Sequence, residues 1–365
     1  MPSSFNRMAS MTSDYNELSL SQSTIWRHAK PLFVKAMSTS SLPSSKLLCR
    51  VADLGCATGG NSIAPLVYVS SQLPSVCVME AILVDLPSNP WTVVASTVTP
   101  ESIAASQPHR RASTTFVSMI GRTFYEPCVP PKSLTLSYSF VATHWLQSYG
   151  GDLPSGLCAS DPLHVPEPEV WNAWKSAGES DWNMFVNARY KELDVGGVFI
   201  GAVCGIKSDG DHPWSKVGYL VYQAMESRVK RGDGLDSCVL PCWYRTDADI
   251  RAGFEQTTKL DNYGDDNGRV WDVEVCEYHE TVDPIRERLL RGEITAREYG
   301  RLVIDSFRAV SNPTIVNCLS KTMDPDELDT LMEDVYEACI DPIGADPDQY
   351  NLDESFWYVL AKKIK

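Results

Sequence analysis

Asp53 and Asp85 are set apart from the other carboxylates of the chain because each closes an apolar run. Asp53 opens the turn Asp53-Leu54-Gly55-Cys56-Ala57-Thr58-Gly59-Gly60-Asn61, which follows the apolar run 47–54 and leads into a helically spaced segment, 61–73. Glycine in such a turn lets main chain approach a ligand with no Cβ in the way. The spacing is D-x-G-x-A-x-G, with Ala57 at the middle position, and not the G-x-G-x-x-G of a dinucleotide site. An acid two residues before the first glycine attracts a cationic group and repels a pyrophosphate. Asp85 ends the second apolar run, 76–86, and precedes Leu86-Pro87-Ser88-Asn89. A carboxylate there can accept two hydrogen bonds from ribose hydroxyls. Each half alone is compatible with a plain tight turn. Together, one strand–helix–strand step apart, they point to a bound cofactor.

No second constellation of comparable strength exists. Cys238 and Cys242 form a lone C-x3-C, without a second pair at zinc spacing, and the six histidines are dispersed, so no metal site is expected. The eleven cysteines are odd in number, scattered and often in apolar runs; they read as reduced, mostly buried thiols of an intracellular protein. A net charge of −15 argues against nucleic-acid or anionic-membrane partners, which need Lys/Arg patches, but leaves a small anionic substrate open. No apolar run reaches the ~18 residues of a membrane span, and the Ser/Met-rich N-terminus lacks the apolar stretch of a signal peptide. The cytoplasm is the expected location. A chain of 365 residues with 43% hydrophobic and 22% charged residues is long enough for one large or two coupled domains and is not disordered.

The elements that must position the two acids alternate between strands and helices. Runs 47–54, 76–86, 116–119, 134–140 and 199–203 suit buried strands, and the alternation implies βαβ units around a parallel sheet. Residues 13–36 read as an amphipathic segment ending near Pro31. The stretch 150–180, with Pro154, Pro162, Pro166 and Pro168, reads as an irregular connection leading into a helix over 181–193. Helical patterns follow at 295–310 and 326–339, a half-exposed strand at 270–278 and a closing strand at 356–360. The expected architecture is α/β: a Rossmann-like sheet whose loops carry a helical cap. Its parts are an N-terminal segment at 1–45, a core at 46–205, a mostly helical cap at 206–345 and a returning strand within 346–365. Acidic stretches 247–249 and 324–329 read as helix N-termini and solvated faces.

Seven segments, in order along the chain, carry a resemblance. They are Asp53 to Asn61; Val84-Asp85-Leu86-Pro87-Ser88-Asn89-Pro90; Val117-Ser118-Met119-Ile120-Gly121-Arg122-Thr123-Phe124; Ser139 through His144-Trp145-Leu146-Gln147; Asp181-Trp182 to Phe185 with Arg189, Glu192-Leu193 and Gly196-Gly197; Pro241-Cys242-Trp243-Tyr244-Arg245-Thr246; and Phe307-Arg308-Ala309-Val310 with Pro313. They resemble the motifs D-L-G-C-S-S-G-x-N, N-D-L-P-x-N-D, G-S-F-Y-G-R-L-F, M/H-W-L-S-Q, D-F-x-x-F-L-x-x-R-x-x-E-L-x-x-G-G, P-x-Y-Y-x-P-S and V-R-A-V-x-E-P of the SABATH methyltransferases. That family includes the plant salicylate, benzoate and jasmonate carboxyl methyltransferases and the theobromine and caffeine synthases. Its N-terminal motif S-Y-A-x-N-S-x-x-Q is met by Tyr15 and Gln22, with Leu18 in place of Asn.

The resemblance implies a class I methyltransferase sheet and S-adenosyl-L-methionine as methyl donor, leaving S-adenosyl-L-homocysteine. By that resemblance Gln22 and Trp145 would hold a substrate carboxylate through an amide and an indole N–H, and Tyr15 would close over cofactor and substrate. Asp53, Gly55, Asn61, Asp85 and Leu86 would bind the cofactor. Ser118 and Met119 would flank its adenine, Met119 standing where the family has Phe. His144 and Trp243 would wall the substrate pocket. The family's pocket Tyr falls on Val141 here, with Tyr138 three residues earlier on the same strand. Trp145, His144, Met119, Gln22 and Tyr15 each also have an ordinary reading as core or surface side chains. The abundant Trp, Tyr and Phe of the cap favour an aromatic or apolar acid, although aromatics also fill cores; a small carboxylic acid as substrate, a methyl ester as product, a role in secondary metabolism and a homodimer are implied by resemblance. Three other readings stay open: N-methylation of a heterocycle, a catalytically inactive relative that binds the cofactor or a small acid, and a nicotinamide-dependent reductase. The glycine spacing and the lack of an obvious Tyr-x-x-x-Lys pair disfavour the last.

Overall fold

The computed structural model describes residues 25–39, 48–104, 114–153, 156–159, 167–206, 213–229, 234–235, 238–260 and 270–365. Five strands, β1 (Leu48–Leu54), β2 (Val78–Asp85), β3 (Thr114–Gly121), β4 (Leu134–Phe140) and β5 (Leu193–Cys204), pair in parallel. β6 (Trp271–Thr281) and β7 (Glu354–Lys363) complete a seven-stranded sheet of order β3-β2-β1-β4-β5-β7-β6, in which β7 runs antiparallel to both neighbours. The apolar runs become strands because a parallel sheet is covered on both faces. Alternate residues serve opposite layers: Val51 packs with one face cluster and Ala52 with the other.

One face is covered by α1 (Ile25–Thr39), α2 (Ile63–Gln72), α3 (Trp91–Thr97) and α4 (Pro100–Ala104). The other is covered by α5 (Pro168–Glu192) and α7 (Asp247–Leu260), through Trp182, Phe185, Ile250 and Phe254. A separate apolar cluster forms the cap. It joins α6 (Pro213–Glu226), α8 (Pro284–Leu290), α9 (Ala296–Leu319) and α10 (Pro325–Ala345). α9 and α10 approach main chain to main chain where Gly300 faces the Ile340 carbonyl and Gly344 faces the Ala296 carbonyl; a Cβ at either glycine would overlap that oxygen.

Two sequence expectations are corrected. α1 does not end near Pro31 but runs through it to Thr39. Ile25, Ala29, Leu32, Phe33 and Ala36 bury one helical face, and that burial outweighs the hydrogen bond the proline removes. The stretch 150–180 is not irregular throughout: α5 starts at Pro168, a favoured first helical residue, and Gly178 inside it makes room for the Trp243 ring. Within 206–345, expected as a mostly helical cap, α7 packs on the sheet and β6 joins it. Arg189 and Glu192, matched in the fifth motif, form a buried ion pair at 2.8 Å. Glu192 accepts the N–H groups of Cys128 and Val129, and Arg189 donates to the Phe124 and Glu126 carbonyls, so the pair fixes the β3–β4 connection.

Candidate active site

The C-terminal ends of β1, β2 and β4 meet beside α1, where open parallel sheets bind ligands. A cleft there is lined by Ile25, Asp53, Gly55, Cys56, Ala57, Asn61, Ser62, Phe140 and Val141, with about 370 Å³ of empty volume, solvent at its mouth included. The turn after β1 needs the residues it has. Gly55 (φ 89°) and Gly59 (φ 87°) are left-handed, and a Cβ on Gly55 would overlap Ala142 Cβ. Two cleft residues with side chains also adopt positive φ, Ala57 (46°) and Val141 (53°). Such geometry is rare for a β-branched residue, and strain of this kind gathers where structure serves a ligand.

Asp53 sits at the end of β1 beside its register partner Tyr138 on β4. Burial pushes its carboxyl up to about 7; the hydroxyls of Ser62 and Tyr138 pull the other way, and the charge of Asp85 adds to the rise. Although both hydroxyls face Asp53, neither completes a hydrogen bond of good geometry, and the buried Thr58 hydroxyl and Asn89 Oδ1 are also unpartnered. Buried polar atoms left so are costly. Ser62 lines the cleft beside Asp53, so a buried acid and a hydroxyl there offer a polar surface suited to a cationic partner. Asp85 is half-buried and lifted by burial to about 6, while the N–H groups of Leu86 and Ala57 hold it down at 2.7 and 2.8 Å. Each oxygen keeps a lone pair for a further donor. This donor and acceptor set fits S-adenosylmethionine: an acid for its cationic end, a second acid one strand away for ribose hydroxyls, and a turn whose main chain is open.

The predicted residues are not all brought together. Asp53, Gly55 and Asn61 line the cleft, and Asp85 is hydrogen-bonded to the cleft residue Ala57. Leu86 donates its N–H to Asp85. Ser118 does not join them. Its register partner is Ile82, three residues short of Asp85, and its hydroxyl donates to Glu80 at 3.1 Å. Met119 is partly exposed on the edge strand β3. Tyr15 and Gln22 lie outside the described residues; Ile25, three residues after Gln22 in sequence, lines the cleft. Trp145 and His144 follow β4 on the turn that begins at Val141. Trp145 is buried in the cap cluster, against which the cleft residue Ala57 also packs, and is not itself among the residues lining the cleft. His144 packs its ring 4.8 Å from Trp145 and 6.0 Å from Tyr244. Trp243 is core: its ring packs on Trp171 and Gly178, in a cluster with Leu146 and Trp174, and not among the cleft-lining residues.

Sequence reasoning missed the groups that hold the turn 143–148. The Tyr125 hydroxyl shares its proton between the Thr143 and Trp145 carbonyls, at 3.0 and 2.7 Å. Arg245 donates to the Thr143 carbonyl at 2.7 Å. Asp181 accepts the N–H groups of Gln147 and Ser148 and the Ser148 hydroxyl. Asp181 carried a signal, its place in the fifth motif; Arg245 falls within the sixth at a position the motif leaves open, and Tyr125 carried none. Among the described residues no cluster of three or more His, Cys, Asp or Glu could hold a metal ion, and no helix is long and apolar enough to cross a membrane.

Residues 9–341 match the family model described as SAM dependent carboxyl methyltransferase. Methyltransferase FUS9 of Gibberella fujikuroi is 26% identical over 66% of this chain and 65% of its own length. Gibberellic acid methyltransferase 2 of Arabidopsis thaliana is 21% identical over 79% of this chain and 83% of its own. Jasmonate O-methyltransferase of the same plant is 21% identical over 87% and 88%. Among solved structures, loganic acid methyltransferase with SAH superposes with a TM-score of 0.73 at 17% identity, covering 98% of this chain and 99% of that one. That likeness shows a shared fold.

Proposed function

The chain belongs to the S-adenosylmethionine-dependent carboxyl methyltransferases, and on that premise we propose that it converts a small aromatic or apolar carboxylic acid to its methyl ester. The observation that carries the reading is the pair of acids at the ends of adjacent strands, Asp53 lining the cleft and Asp85 holding the glycine turn beside it. The carboxyl specificity is drawn from the relatives, among which are a jasmonate and a gibberellic acid methyltransferase.

The bound cofactor supplies an electrophilic methyl group on a sulfonium. A substrate carboxylate with a pKa of about 4 is already ionised at neutral pH, so no general base is required. The chain's part is to bind, orient and exclude water, and orientation of this kind can supply on the order of 7–11 kcal/mol. Asp53 holds the cationic end of the donor and Asp85 its ribose. The Trp145 indole N–H and the Gln22 amide hold the substrate carboxylate. Both are neutral donors, which steady the oxygen without drawing off the charge that makes it nucleophilic. Tyr15 closes the site, and His144 and Tyr138 shape the wall. Of the remaining residues implied by resemblance, Met119 would reach the adenine from β3, Ser118 would act only through its neighbour Glu80, and Trp243 would act from behind the wall. The resemblance extends to a cytoplasmic homodimer acting in secondary metabolism; sedimentation of the purified protein tests the dimer.

The deciding experiment offers the purified protein radiolabelled S-adenosylmethionine with pooled small carboxylic acids and, in parallel, pooled xanthines and other N-heterocycles. Base-labile label from the acid pool is the expected outcome. Base-stable label from the heterocycle pool would place the protein in the N-methylating branch. Failure of S-adenosylmethionine to raise the melting temperature would sink the site assignment.

A further inference from the structure

Arg245 is 1% exposed, yet its acceptors are main-chain carbonyls: Thr143 at 2.7 Å and Gly178 at 3.2 Å. Its Nε has no acceptor among the described residues, and its guanidinium carbon lies 5.2 Å from the centroid of the Trp182 ring. The carboxylates that act on it most, Asp181 and Asp249, do so through space, and Asp181 is already engaged by Gln147 and Ser148. A buried cation whose direct acceptors are neutral carbonyls is an expensive way to hold a fold together. Net stability alone therefore does not account for Arg245.

Its surroundings do. The main chain of Arg245 is sewn to the sheet: its N–H donates to Cys204 at the end of β5, and its carbonyl accepts from Ile206 and from the Trp357 indole of β7. The neighbouring segment 241–243 pairs with the turn after β4, through Leu146 N–H to the Pro241 carbonyl at 2.6 Å, Trp243 N–H to the His144 carbonyl at 2.9 Å and a bridge between Trp145 and Cys242. The guanidinium then reaches back to the Thr143 carbonyl, which also receives the Tyr125 hydroxyl. Sheet, α5 and the turn thus meet on one side chain.

We propose that Arg245 is a positioning residue for methyl transfer: with Tyr125 it fixes the turn 143–145 so that His144 and Trp145 are presented to the acid substrate in one orientation. The proposal rests on the functional reading above for the role of Trp145, but not for the geometry of the turn.

The test compares wild type with Arg245→Met, Arg245→Lys and Tyr125→Phe. Four quantities are read: melting temperature, the S-adenosylmethionine Kd by calorimetry, kcat and KM for whichever pooled acid wild type methylates fastest, and the 19F spectrum of protein labelled with 5-fluorotryptophan. The Trp145 resonance is assigned by its loss in Trp145→Phe. Arg245→Met is expected to fold with a melting temperature lowered by several degrees, because the Thr143 and Gly178 carbonyls lose a buried donor, and to keep its cofactor Kd within about threefold. Its kcat should fall about a hundredfold, the scale of a 1 Å misplacement, with a smaller change in KM. The Trp145 resonance should shift or broaden, and Arg245→Lys should recover part of both. A folded Arg245→Met with wild-type kcat, or with an unmoved Trp145 resonance, overturns the proposal. So does an activity loss that only follows a fallen melting temperature. If Arg245→Met does not fold, Tyr125→Phe, which removes a single hydroxyl, decides by the same two readouts. If wild type methylates no acid, the functional reading fails and the fluorine resonance still decides this inference.

Discussion

Asp85 Oδ2 accepts the main-chain N–H of Ala57 at 2.8 Å, joining the acid that ends β2 to the strained residue of the glycine turn after β1. Asn89 completes the grip by donating Nδ2 to the Ala57 carbonyl at 2.7 Å. Both ends of one residue are thus held from the β2–α3 loop, so the acid expected to meet the ribose also shapes the turn that meets the rest of the cofactor. Asp85→Ala should weaken S-adenosylmethionine binding about 10- to 100-fold, the scale of one charge-assisted hydrogen bond. Asn89→Leu should weaken it less, through the turn alone. Calorimetry with both variants checks the order; equal and small losses would refute the grip.

Asp53 gives the site a pH dependence of defined sign. Its folded value of about 7, like that of about 6 for Asp85, lies above the usual carboxyl value of 3.8 because of burial. Between about pH 4 and 7 the folded, cofactor-free protein keeps protons that the unfolded chain has released. The stability these groups contribute is full below that window and is lost as pH rises through it. Binding of a cationic donor favours the ionised form, so affinity runs the opposite way. The Kd for S-adenosylmethionine should fall about tenfold from pH 6 to 8, as a single group near 7 ionises. Asp53→Asn should flatten the part of that slope due to this group.

Trp145→Phe removes the indole N–H and keeps most of the ring volume in the cap cluster. Turnover should fall about a hundredfold, as when a positioning hydrogen bond at the reacting centre is lost. Cofactor affinity should hold, since Trp145 is not among the residues lining the cleft. Single-turnover kinetics beside a binding isotherm separate the two; parallel losses would show that Trp145 serves the fold and not the substrate.

The glycine turn makes a prediction about stability alone. Gly55→Ala places a Cβ against Ala142 at φ 89° and should destabilise by roughly 1–3 kcal/mol. Ala57→Gly relieves a left-handed alanine and should leave stability within about 1 kcal/mol of wild type, the gain offset by unfolded-chain entropy. Denaturant midpoints for the two variants decide.

The parallel core was legible because its strands are covered on both faces and so read as unbroken apolar runs, with Asp53 and Asp85 at their ends. The 134–140 run is β4 to the residue. Helices with internal breakers were less legible. Pro31 and Pro313 fall inside α1 and α9, and Gly178 inside α5, because contacts distant in sequence outweigh the local cost. The alternation of 270–278 revealed a strand but not its partner, since β7 lies some eighty residues on. Within the site, the acids at strand ends could be read and the Arg245 clamp could not. An arginine in a sequence looks like surface; only the fold surrounds it with carbonyls.

The place of β7 has a consequence for synthesis. β7, at 354–363, lies between β5 and β6, so among the described residues β6 has no partner strand until β7 has emerged from the ribosome. For the time it takes to translate the cap helices, the open edge of β5 and the whole of β6 are unpaired in the nascent chain, the state in which strand edges seek other chains. The final strand works as a zipper, and the parallel half with its cofactor cradle can form before it closes.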